Sequence, residues 1–158
     1  PMHSEQIHVN RDTIKLIIAN LGKVVTVGTT SVRTLESLYW YGVKLLAGKG
    51  EELKIEKLFP YEKRENLPTA TESYEAILVL MNEKSLETIM GTTEIFIFPG
   101  YQFKIVKGLI TNFHQPGSTL ILLIATILGE DWKRVYAEAL GNDYRFLSYG
   151  DSSLLWIA

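Results

Sequence analysis

The chain has 158 residues, enough for one domain and short for two, and its 46% hydrophobic and 22% charged content is that of a folded protein rather than a disordered tail. It contains no cysteine, which excludes disulfide scaffolds, thiolate metal sites, iron–sulfur clusters and cysteine nucleophiles, and is compatible with a reducing compartment. The net charge of −2 is unlike the basic footprint of a nucleic-acid binder, but it is unevenly spread: residues 1–50 carry six Lys/Arg against three Asp/Glu, 51–99 five against ten, and 100–158 five of each.

The N-terminus, Pro1-Met2-His3-Ser4-Glu5, has no signal-peptide pattern, and Pro1 in place of an initiator Met points to a piece of a longer protein. Ile7 and Val9 alternate as in a strand, and Ile14, Ile17, Ile18 and Leu21 then follow helical spacing up to Gly22. The β-branched run 23–27, the turn at Gly28 and apolar positions from Val32 to Leu46 read as a strand–turn–helix unit. From 48 to about 91 the chain makes an acidic excursion. It is expected to hold a short strand near 53–58, a helix opened by a Thr69/Glu72 capping box, and a second short helix over 85–90 ended by Gly91. Residues 94–98 read as a strand, as do 103–106 and 109–113 about a Lys107-Gly108 turn. Ser118 is placed to cap an apolar helix over 119–128, which at that length is too short to span a membrane and is expected to be buried on most sides. A helix over 131–140 and late strands at 144–149 and 154–157 complete an α/β domain with a mixed, largely parallel sheet and flanking helices.

Four segments hold candidate chemistry. Gly28-Thr29-Thr30-Ser31 with Arg33 places hydroxyls, free amides and a guanidinium at a helix start, which suits a carboxylate or phosphate, or else is simply a cap with a solvated arginine. It has neither the Lys of a Walker loop nor a dinucleotide fingerprint. His114 follows a strand end at Asn112-Phe113, either as a ligand contact or as a satisfied structural histidine. Asp151 after Tyr149-Gly150 is either a partner for a cationic ligand or a turn residue, and Tyr101, Phe113 and Tyr149 are candidates for stacking on a base. His3 beside Glu5 is of the type for acid/base work. His8, five residues from His3, shares no helix face with it, so no metal site is expected.

Taken together, Met2-His3-Ser4-Glu5, Gly28-Thr29-Thr30-Ser31-Val32-Arg33-Thr34-Leu35-Glu36, Phe98-Pro99-Gly100-Tyr101, Thr111-Asn112-Phe113-His114 with Pro116 and Ser118-Thr119-Leu120, and Tyr144-Arg145-Phe146 with Ser148-Tyr149-Gly150-Asp151 resemble, in order, the S-adenosylmethionine:tRNA ribosyltransferase-isomerase family of queuosine biosynthesis. The resemblance spans nearly the whole chain but only a C-terminal portion of a larger two-domain enzyme. It departs at Gln115-Pro116-Gly117 and at Ser152-Ser153.

The resemblance implies a cytoplasmic enzyme that moves the ribosyl group of S-adenosylmethionine, its co-substrate, onto the 7-aminomethyl-7-deazaguanine base at the wobble position of tRNA, giving epoxyqueuosine. It further implies His114, His3 and Glu5 as proton-transfer groups. Gly28, Thr29, Thr30, Ser31 and Arg33 would hold the methionine carboxylate, Glu36 or Asp151 would face the sulfonium or amine, and Asn112 and Tyr149 would line the substrate. No metal is implied, the N-terminal remainder of the polypeptide is the expected partner beside tRNA, and the span alone is expected to be inactive. The alternative is a divergent module that binds an adenosyl ligand or RNA without ribosyl transfer.

Overall fold

The computed structural model describes residues 3–114, 118–145 and 151–158. Strand β1 (Glu5–Asn10) buries Ile7 and Val9, and Asn10 then accepts the amide of Thr13 to start helix α1 (Arg11–Ala19), which buries Ile14 and Ile17. After β2 (Val24–Val27), Gly28 takes φ +90, a value open to glycine at little cost, and turns the chain at once into the long helix α2 (Thr29–Leu46). The acidic excursion is largely ordered structure: β3 (Leu53–Ile55), a 3-10 turn at Phe59–Tyr61, α3 (Ala70–Glu83) and β4 (Thr88–Thr93). Both reciprocal bonds of the expected Thr69/Glu72 capping box form. The chain continues through β5 (Val106–Asn112), α4 (Leu120–Leu128), α5 (Asp131–Gly141) and β6 (Ser152–Trp156).

The architecture is mixed α/β with flanking helices, but the strands form two three-stranded sheets rather than one. In the first, β4 lies between β1, antiparallel, and β3, parallel. In the second, β5 lies between β2, parallel, and β6, antiparallel. Helix α2 runs through the middle of the core, burying Val32, Leu38, Tyr39, Trp40, Tyr41 and Val43, and packs against α3. Helix α4 buries Ile121, Leu123, Ile124 and Ala125, in keeping with its apolar character.

Four local expectations are corrected. Residues 85–90 do not form a helix: Ser85 leaves α3 with φ 53, and Thr88–Thr93 become the central strand of the first sheet. Gly91 there is required by close approach, because a Cβ would sit 2.0 Å from the Leu53 carbonyl oxygen. Residues 94–98 keep the burial alternation of a strand, with Ile95 and Ile97 inside. The amides of Glu94 and Phe96 bond the carbonyls of Ile55 and Lys57, while those of Ile95 and Phe98 go to the Thr93 and Tyr61 hydroxyls, and no regular ladder forms. The two short strands expected about Lys107-Gly108 are one strand, β5, in which Gly108 makes room for the ring of Trp156. Helix α4 starts at Leu120 without a side-chain cap, so Ser118 does not play that part. Of the two late strands, 154–157 is found as β6, and the one at 144–149 lies mostly outside the described residues.

Candidate functional site

Strands β2 and β5 run parallel, and their carboxyl ends point the same way. The crevice beyond such ends is where open α/β sheets bind ligands. Here the amide of Gly28 donates to the Ile110 carbonyl at 2.8 Å, which fixes the N-terminus of α2 over the end of β5. The opening so formed, about 390 Å³, is lined by Val27, Gly28, Thr29, Thr30, Ile110, Thr111, Asn112, His114 and Ser152. A second opening of about 330 Å³ adjoins it, sharing Thr29 and Thr30 and adding His3, Glu5, Arg33, Thr119 and Leu120. Residues far apart in the chain therefore meet around the first turn of one helix, whose unbonded amides and positive dipole end favour negative charge.

His114 is buried to 9% exposure, its Nε2 3.1 Å from Thr111 Oγ1 and its backbone amide donating to the Tyr136 hydroxyl at 3.0 Å. Burial lowers its pKa below the ordinary histidine value, so the imidazole is held neutral at neutral pH and is competent as a base. Arg33 is almost wholly buried. Its Nε and Nη2 donate to the Ile95 carbonyl at 3.3 and 3.0 Å, and its Nη1 pairs with Glu5 Oε1. Burial lowers the pKa of this guanidinium. Since Glu5 already occupies it, a substrate carboxylate reaches Arg33 only by breaking that pair. The donors left for an anion are the α2 amides and the Thr29 and Thr30 hydroxyls.

Several sequence candidates stand apart. Ser31 is exposed on α2 and lines neither opening. Glu36 does not face the openings: it is completely buried, and its carboxylate accepts the Tyr101 hydroxyl at 2.6 Å and the amides of Lys104, Ile105 and Val106 at 2.8 to 3.0 Å. Its place is in the core. Burial pushes its pKa up, and the four donors oppose that. Tyr101 and Phe113, considered for base stacking, are interior as well, Tyr101 held by Glu36 and Trp40 and Phe113 edge-on to Tyr136 and Tyr144. Asp151 bonds to Arg145 and lines neither opening, although the next residue, Ser152, does. Tyr149 lies outside the described residues. Among the described residues no group of three His, Asp or Glu is set to hold a metal ion.

The roles of Thr111 and Tyr136 at His114 were not anticipated. Thr111, three residues before the histidine, was visible in the same motif, whereas Tyr136 comes from a separate helix and carries no sequence signal. A larger groove, about 590 Å³, lies over β3 and β4 beside Glu51, Glu52, Lys54 and Lys84, and gathers none of the candidates.

The family model for queuosine biosynthesis proteins matches residues 1–155 of this chain. An S-adenosylmethionine:tRNA ribosyltransferase-isomerase from Prochlorococcus marinus (strain NATL2A) is 36% identical over 158 residues, which cover 98% of this chain and 32% of that protein. The crystal structure of an S-adenosylmethionine tRNA ribosyltransferase from Thermotoga maritima superposes with a TM-score of 0.56 at 30% identity, over 93% of this chain and 39% of that one. The chain thus spans about a third of the length of these relatives.

Proposed function

The chain belongs to the queuosine biosynthesis protein family, and from that premise we propose that it supplies part of the site at which the ribosyl group of S-adenosylmethionine passes to the aminomethyl nitrogen of a 7-deazaguanine base in tRNA. One observation carries this reading: His3, Glu5, Gly28, Thr29, Thr30, Arg33, Asn112 and His114, drawn from three separated motifs, line two adjoining openings around the start of α2.

The reaction needs a base to take the acidic proton beside the sulfonium, a proton for the departing adenine, and an anchor for the methionine carboxylate. Neutral His114, oriented by Thr111, suits the first task. The α2 amides with Thr29 and Thr30 suit the carboxylate, because aligned amides and hydroxyls at a helix start bind anions without a cationic side chain. His3, on the neighbouring opening, is placed to hold or give a proton. The products are epoxyqueuosine-tRNA, adenine and methionine. A cytoplasmic setting, a tRNA substrate and further polypeptide of the kind these relatives carry belong to the same reading.

The test is to incubate the complete gene product with S-adenosylmethionine and tRNA bearing the aminomethyl-deazaguanine precursor, and to measure free adenine. Release that depends on the modified tRNA is expected. Binding of S-adenosylmethionine with no adenine release would replace this reading with that of a binding module.

A further inference from the structure

We infer that Arg33 is a positioning residue: it holds Glu5 as an oriented, ionised carboxylate at the mouth of the second opening, leaving Oε2 to accept an N–H from a protonated amine of the substrate. The inference rests on the site reading above, whose two substrates each carry an amino group.

The geometry separates the two partners. The Arg33 side chain is only 5% exposed, whereas that of Glu5 is 28% exposed, so although both line the opening the carboxylate is the more accessible of the two to an entering ligand. Three chain segments converge to set this up: Glu5 opens β1, Arg33 lies near the start of α2, and the Ile95 carbonyl follows β4. The positive end of α2 is a poor place for a cation, and burying the guanidinium there costs further free energy. An apolar residue of similar volume would hold these segments together at lower cost. What only a charged pair supplies is a carboxylate with one oxygen fixed and the other open. Glu5 Oε1 is taken by Arg33, and Oε2 has no hydrogen-bond partner among the described residues. The other groups lining this opening are His3, Thr29, Thr30, Thr119 and Leu120, of which only His3 is ionisable. Among the described residues no second carboxylate lines this opening.

Carbon-detected NMR titration of the glutamate side chains in the 158-residue chain reads this directly, with the Glu5 signal assigned by its loss in Glu5→Gln. In the unsubstituted chain Glu5 is expected to titrate below the ordinary glutamate value of about 4.3, because the adjacent guanidinium favours its charged form. Arg33→Gln should raise that midpoint by roughly one unit, and Arg33→Lys, which keeps the charge but loses the planar fork, should restore part of the shift. A Glu5 midpoint that does not respond to Arg33→Gln overturns the inference. If Arg33→Gln fails to fold, a midpoint near 4.3 in the unsubstituted chain overturns it by itself. In the complete enzyme, Arg33→Lys and Glu5→Gln are expected to raise the KM of the amine-bearing substrate at least tenfold while kcat changes less than threefold, a split that mere loss of stability would not produce. A KM unchanged in both variants overturns the role toward substrate. Absence of adenine release from the parent enzyme, with the Glu5 titration as expected, would sink the proposed reaction while leaving the Arg33–Glu5 unit standing.

Discussion

Two glutamates, one half-buried and one in the core, illustrate how neighbours, not residue type, decide a role. Glu5 and Glu36 both sit in family-like motifs, but Glu5 reaches an opening while Glu36 is enclosed and bonded by four donors with no acceptor facing it. That surrounding matches an acceptor-only carboxylate and makes Glu36 the fastening between α2 and the start of β5. Replacing it with glutamine puts an NH₂ donor against backbone N–H donors and leaves at least one of them unpaired. Glu36→Gln is therefore expected to cost about 3 kcal/mol, read from urea unfolding. A loss below about 0.5 kcal/mol, the scale of an ordinary surface change, would contradict this assignment. The buried fate of Glu36 was not legible in the motif: its partners Lys104, Ile105 and Val106 lie far along the chain, and nothing local distinguishes a helical glutamate facing water from one facing a strand end.

Legibility at the level of elements followed how local the signal was. The β2–α2 unit could be read outright, since the β-branched run, the glycine turn and the apolar spacing are all contained in one stretch. The capping box of α3 was equally self-contained. Residues 85–90 misled because Ser-Leu-Glu-Thr-Ile-Met tolerates a helix, and its strand form is imposed by β1 on one side and β3 on the other. Lys107-Gly108 looked like a turn because the reason for the glycine, the Trp156 ring, arrives only with β6. Gly42 is a related case. In mid-helix, alanine normally gains close to 1 kcal/mol over glycine. A Cβ at position 42 would lie 1.9 Å from Ser73 Oγ and 2.3 Å from the Ser73 carbonyl oxygen, so α2 and α3 must move apart to admit it. Gly42→Ala is expected to destabilise by about 2 kcal/mol or more, and a thermal midpoint equal to or above that of the parent protein would show that this helix contact is not as close as described.

Across the whole molecule, the charge segregation noted at the outset acquires a spatial meaning. The acidic stretch 51–99 builds β3, α3 and β4, and contributes no lining residue to either opening. The openings draw instead on the positively biased first fifty residues and on the neutral last third. The average charge of −2 therefore says little about what the site accepts. The family resemblance implied which segments belong together, while the packing decided which side chains reach the openings and which, like Glu36 and Tyr101, support the core behind them. The chain spans about a third of the length of the relatives it matches, so catalysis is best examined in the complete polypeptide.

The central claim is that the openings around the start of α2 form part of a ribosyl-transfer site in which neutral His114 is the base. Single-turnover adenine release by the complete enzyme carrying His114→Gln tests it most directly, alongside the pH profile of the parent enzyme. Because burial depresses the His114 pKa, the active neutral form is present at and above neutral pH and is lost as pH falls through a value below the ordinary ~6.5. The account predicts an acidic limb in that range and a slowing of about a hundredfold or more in His114→Gln, with S-adenosylmethionine still bound. Release within twofold of the parent rate would contradict it.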